Sequence, residues 1–278
     1  MGWRILFYVF YGLVSGLAEI LPASAAAQSY LLGYLTAMDT RHPLMLLMIH
    51  IACVSVLLIH CRHRIGHMRN ELRLEFQDPR RRKRQPDRMT VLDAKIVMFC
   101  AIPAVIMLCF SNAVYRNYIN LVTLGIALFL SGIFIYIPQF RPGANRDSRH
   151  LSPAEAMKMG FWAGLGAIPG VSRMGLFISD GLKRGCEKNY ILDIAFLAAI
   201  PALVMLIVLD VVSLISLGFA NINGTILMLS ALSAISAFGG AWLAVVIMRF
   251  VSVNASYTPF SYYSWALGMF SFILYLMV

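Results

Sequence analysis

Charged side chains are scarce in this sequence: 13% of its 278 residues, with only 13 Asp and Glu. A soluble domain carries about a quarter. The shortage, beside a 60% hydrophobic content, excludes a water-soluble globular fold. Cysteine pairing is lacking as well. Cys53, Cys61, Cys100, Cys109 and Cys186 are scattered, without metal-type spacing, so no disulfide and no zinc site is expected. The first apolar run leads directly into Glu19 and Pro22 with no A-x-A stop before them, so no cleavable leader is expected.

The charge that is present is concentrated. Of 23 Lys and Arg, 11 lie between Arg62 and Lys95, including the run Arg80-Arg81-Arg82-Lys83-Arg84. Beside apolar spans, such clusters mark the cytoplasmic side. The net charge of +10 is therefore read as a topology determinant, with anionic lipid headgroups as a compatible partner and no nucleic acid.

Six apolar runs have the length of a bilayer crossing: about 43–60, 94–110, 119–137, 189–210, 224–248 and 258–278. Between the first two, residues 61–93 read as a long charged loop, and residues 111–118 as a short turn. Two further stretches, 3–36 and 154–182, are apolar but broken midway by Pro22 and Pro169. Proline removes a backbone donor and clashes with the preceding turn, so helices stop there. Broken backbone inside a bilayer survives only where protein or a polar cavity satisfies it. Both stretches are predicted to be re-entrant helical hairpins. With 61–93 cytoplasmic, this arrangement puts 19 of the 23 Lys and Arg inside, buries Arg173 and leaves only Arg4, Arg41 and Arg116 outside. The hairpins then enter from opposite faces, and both termini lie outside. Gly12-x-x-x-Gly16-Leu17 before Pro22 matches Gly160-x-x-x-Gly164-Leu165 before Pro169. The expected fold is one all-α polytopic membrane domain over 1–278: six transmembrane helices plus two re-entrant hairpins in an inverted repeat.

A carboxyl in an apolar helix is costly, which makes Glu19 a functional candidate. Ser24 follows the first break, with Gln28 one turn on. Pro169-Gly170-Val171-Ser172-Arg173 places a fixed cation and a hydroxyl at a helix start, where free N–H groups suit phosphate. The plainer alternative is an internal Glu19–Arg173 salt bridge that only pins the hairpins together. His50 lies in the first span and could reach the same pocket, although a buried histidine bonded to a neighbouring helix is the commoner case. Asp180, Asp193 and Asp210 read as lying near helix ends or capping packing contacts. His60, His63 and His67 read as solvated loop in a basic neighbourhood. No histidine follows Arg173, which sets aside the type-2 phosphatidic-acid phosphatases and their downstream histidine motif.

Gly-Leu-Ala-Glu-Ile-Leu-Pro-Ala-Ser (16–24) and Pro-Gly-Val-Ser-Arg (169–173) resemble the two signature motifs of the undecaprenyl-pyrophosphate phosphatase family. Ala101-Ile102-Pro103-Ala104 and Ala199-Ile200-Pro201 resemble that family's later spans. The resemblance implies a bacterial cytoplasmic-membrane protein with its pocket facing outside. It also implies removal of phosphate from a C55 polyprenyl pyrophosphate carrier used in cell-wall synthesis, and a divalent cation (Mg or Ca) if the site is active. The departures are specific. Ser15 stands where the family carries the first carboxylate of Glu/Gln-x-x-x-Glu. Ser24-Ala25-Ala26-Ala27-Gln28 replaces Ser-Ser-Thr-Gly-His, and Met174 and Phe177 replace a serine and a threonine. Gln28 donates hydrogen bonds but is neither base nor nucleophile. Losing a base typically costs about 10²–10⁴ in rate.

The expected function is therefore recognition of a polyprenyl phosphate, pyrophosphate or related anionic lipid, with translocation as an added role and catalysis lost or impaired. Arg173, Ser172, Gly170, Ser24 and Gln28 would hold phosphate. One alternative is a working undecaprenyl-diphosphatase that uses Glu19 and His50. Another is a scaffold with a vestigial pocket. The apolar surface is compatible with a homodimer.

Overall fold

The computed structural model describes residues 2–78, 84–140, 146–218 and 222–277. Among them there is no strand; eleven α-helices carry the chain. In order these are α1 (Gly2–Ile20), α2 (Ala25–Thr36), α3 (Pro43–Phe76), α4 (Arg88–Leu108), α5 (Ser111–Tyr118) and α6 (Leu121–Tyr136). Then come α7 (Pro153–Gly164), α8 (Arg173–Lys183), α9 (Lys188–Leu217), α10 (Gly224–Asn254) and α11 (Thr258–Leu276). An all-helical protein meets the demand of a bilayer, because each helix satisfies its own backbone.

Six helical segments are long and apolar enough to cross a membrane: Gly2–Ile20, Pro43–Phe76, Arg88–Leu108, Leu121–Phe140, Lys188–Leu217 and Gly224–Asn254. Five coincide with expected spans. The sixth is α1, an arm of the first expected hairpin, rather than α11. Ser261, Ser264 and Ser271 with Tyr262, Tyr263 and Tyr275 dilute the apolar character of α11.

Two boundaries are corrected. Residues 61–93 are not one loop: α3 continues to Phe76 and α4 begins at Arg88. Charge forbids the hydrocarbon layer but does not break a helix, and no proline interrupts 44–76. Of the basic run, Arg80 to Lys83 lie outside the described residues, as do Arg141, Pro142 and Gly143 of the 138–153 linker. The 111–118 turn is the helix α5.

The halves of the chain pair alike. α1 packs along α10 as α7 packs along α4; α6 pairs with α11 and α3 with α9. Glycine sets the closest approaches. A methyl group on Gly12 or Gly16 would overlap the backbone carbonyl of Ser233 or Ala237 on α10. One on Gly160 would overlap the Cys100 carbonyl on α4. Each Gly-x-x-x-Gly motif thus serves the same contact in its own half.

A charged lattice ties four helices together at the basic end. Arg64 of α3 bonds Asp93 of α4 (Nη2 to Oδ2, 3.0 Å) and Asp193 of α9. Arg249 of α10 reaches the other oxygen of Asp193 (2.5 Å) and the His60 ring (3.0 Å). His60 is therefore a helical residue bonded across to α10 and not solvated loop.

Gly160→Ala should lower thermal stability in detergent by about 1–3 kcal/mol through overpacking. Gly66→Ala, with nothing within 4 Å of the added carbon, should raise it by about 0.5–1 kcal/mol. Equal melting temperatures for the two variants would refute the close helix crossing.

Candidate functional site

The two proline breaks meet. α1 stops at Ile20, two residues before Pro22, and Ser24 caps α2 by accepting the Ala27 N–H (3.4 Å). In the other half, Ser172 caps α8 by accepting the Gly175 N–H (3.0 Å). The breaks are stitched to each other: the Gly170 N–H donates to Ser24 Oγ (3.0 Å). Gly170 has φ +102, and a Cβ there would crowd Ala127 and the α6 backbone. This position calls for glycine on both counts. The Ser172 N–H donates to Ser131 Oγ on α6 (3.1 Å).

Beside this junction lie the ionisable groups. The buried Glu19 and the partly buried Arg173 form an ion pair through Oε2 and Nη2. Arg173 fits because residue 166 is glycine; a methyl there would overlap its side chain. The other guanidinium nitrogen, Nη1, is buried with no hydrogen-bond partner. His50 of α3 stands between two carboxylates. Its Nδ1 lies 2.6 Å from Asp210 Oδ2, and its Nε2 lies 3.5 Å from Glu19 Oε1. The first is a short hydrogen bond; the second is ion-pair distance, too long for a good hydrogen bond. A chain Asp210–His50–Glu19–Arg173 therefore links α9, α3, α1 and α8.

A cavity of about 90 Å³ adjoins that chain, lined by Glu19, Ser24, His50, Arg173 and Asp210. One water needs about 10–15 Å³ on this measure, so several fit. Arg41 lines it too, its guanidinium 3.3 Å from the centre of the Tyr115 ring.

Of the residues singled out from sequence, the cavity gathers Glu19, Ser24, His50 and Arg173. Gly170 and Ser172 stand behind it as backbone supports. Gln28 does not line it; its Nε2 donates to Tyr263 Oη on α11 (2.7 Å). Asp210 is a correction. It sits inside α9, which runs to Leu217, and not at a helix end. The apolar pattern that continues through Val211, Val212 and Leu214 was the available signal. Asp193 and Asp180 do lie toward helix ends, Asp180 bonding Arg184 (2.7 Å). Arg41 was also missed, since a lone arginine in a short linker carries no pattern.

A divalent cation does not fit these donors. Hard cations take several free oxygens. Here one Glu19 oxygen is held by Arg173, Asp210 is held by His50, and Ser15 stands where a second carboxylate would be. Among the described residues no group of three or more His, Cys, Asp or Glu is arranged to hold a metal ion.

The family model described as bacitracin resistance protein BacA matches residues 8–270. The chain belongs to the BacA family. Curated relatives of similar length carry the name undecaprenyl-diphosphatase. That of Carboxydothermus hydrogenoformans is 28% identical over 263 residues, covering 95% of this chain and 94% of its own. That of Neisseria meningitidis serogroup C is 27% identical over 271 residues, covering 95% and 93%. That of Halothermothrix orenii is 22% identical over 267 residues, covering 96% of each. BacA membership agrees with the motif resemblance, with the six membrane-crossing helices and with a bacterial membrane setting.

Arg173→Met leaves the Glu19 carboxylate buried without its cation and should cost about 3–5 kcal/mol of stability. Adding Glu19→Gln should recover most of that loss. A double variant no more stable than Arg173→Met would show that the pair is not coupled, as read from melting temperatures of all four proteins.

Proposed function

We propose that this BacA-family protein binds the phosphate end of a polyprenyl phosphate or pyrophosphate in the Glu19–Arg173 cavity and hydrolyses it slowly or not at all. The observation that carries this reading is the state of the cavity's polar groups. Arg173 keeps a buried nitrogen free for a phosphate oxygen, while the oxygens of Ser24 and Ser172 already accept helix-cap N–H groups. Arg41 offers a second cation on another wall, which suits a diphosphate. None of the serines that line the cavity bonds a carboxylate or an imidazole among the described residues, so phosphoryl transfer to serine lacks its activated nucleophile. α2 and α8, at 12 and 11 residues, are about 17–18 Å long. They are too short to cross a bilayer, which supports hairpins that enter and leave on one face. On the charge asymmetry, the pocket faces outside and the basic end faces the cytoplasm.

A second reading rests on the His50–Asp210 bond. A carboxylate that orients an imidazole beside Glu19 is the arrangement of a general base, and a water in the cavity would be its substrate. In that case the protein is a divergent undecaprenyl-diphosphatase that takes its imidazole from α3. The names of the relatives favour this activity class; the capping roles of the two serines and the poor fit of the cavity's donors to a hard cation favour the first reading.

Phosphate release from polyprenyl pyrophosphate, measured with purified protein with and without divalent cations, separates the two. The first reading expects turnover at least about 10²-fold below a relative with a complete motif. It also expects retained lipid binding that Arg173→Ala abolishes. Full turnover that falls about 10²–10⁴-fold in His50→Ala would establish the second reading instead.

A further inference from the structure

A second concavity lies at the basic end, between α3, α4 and α9. It is an open groove of about 690 Å³ and shares no lining residue with the Glu19 cavity. Its floor is apolar: Leu58, Ile65, Met68 and Leu72 of α3, with Val97 of α4 and Ile200 of α9. The α3 residues recur at three, four and seven positions, so they form one stripe along that helix. Arg69 and Arg73, one turn apart, lie on the edge of the same stripe. Both are exposed, and neither makes an ion pair among the described residues. This sets them apart from Arg64, Arg84, Arg146 and Arg249, which all bond carboxylates or an imidazole.

Helix length gives the depth. At 1.5 Å per residue, Leu58 lies about 22 Å along α3 from Pro43, Arg69 about 39 Å and Arg73 about 45 Å. The hydrocarbon layer is about 30 Å thick and the whole bilayer about 40–45 Å. With Pro43 at one interface, the floor at Leu58 is in hydrocarbon and the two arginines are at the far headgroups. We infer that this groove is a binding site for one anionic phospholipid. Its phosphate sits on Arg69 and Arg73, and an acyl chain lies along the Leu58–Leu72 stripe.

Other occupants fit less well. A second copy of the chain joined by a two-fold axis would add a second pair of arginines to the same interface with no carboxylate in the groove lining to offset them. A soluble anion would use the arginines and leave the apolar floor bare. The inference is independent of what the Glu19 cavity binds.

Native mass spectrometry of the full chain, with phosphatidylglycerol and phosphatidylcholine as probes, tests it. Phosphatidylglycerol should stay bound in preference to phosphatidylcholine. Arg69→Gln with Arg73→Gln should weaken it roughly thirtyfold, from about 1 kcal/mol per arginine at a membrane surface. Val97→Trp, which fills the floor, should release the lipid with both arginines in place. Arg62→Gln with Arg88→Gln, the same charge change outside the groove, should leave binding unaltered. Equal retention of both lipids overturns the proposal. So does equal weakening by the control pair, or displacement by inorganic phosphate alone. A Val97→Trp protein that changes dimer content but not lipid content would assign the groove to a second copy. Should that variant not fold, the exposed arginine pair decides the question by itself.

Discussion

The structure depends on the ion pair between Glu19 and Arg173. A lone carboxylate inside a membrane protein is strongly disfavoured, and so is a lone guanidinium. Each makes the other tenable, and they belong to opposite halves of the chain, 154 residues apart. Their bond therefore holds two broken helices face to face. Breaks at membrane depth leave backbone groups that lipid cannot satisfy, so the breaks must meet something polar. They meet each other, through the Gly170 N–H and Ser24 Oγ. The cavity is what remains where two interrupted helices cannot fill the space between them.

The pairing of the halves explains why the glycines are where they are. α1 on α10 and α7 on α4 are equivalent contacts, and both rely on backbone meeting backbone without an intervening side chain. Close crossings bring α1 and α7 inward, which aims their C-terminal breaks at a common point. Packing and chemistry thus act on the same point: the tight crossings aim the two breaks at each other, and the Glu19–Arg173 pair holds them there.

Much of this was legible in the sequence, for physical reasons. Prolines within apolar runs announce broken helices, and a Glu and an Arg in such surroundings are drawn to each other. What escaped reading depends on contacts between distant segments. His50 and Asp210 are 160 residues apart, and nothing local marks them as partners. Taking Asp210 as the end of a span was reasonable on hydropathy and missed that a partner allows a helix to continue past a charge. Gln28 looked like part of the phosphate grip because it follows Ser24 by one turn. The register of α2 turns it instead to Tyr263. The length of α3 was hidden because polarity tells where lipid stops, and helices need not stop with it.

That long helix has a mechanical consequence. His50 and Arg69 ride on the same unbroken rod, about 28 Å apart at 1.5 Å per residue. The Arg64 lattice clamps the rod between them to α4 and α9. The Glu19 cavity and the basic-end groove therefore share one continuous backbone, which the Arg64 ion pairs and the His50–Asp210 bond both fasten to α9.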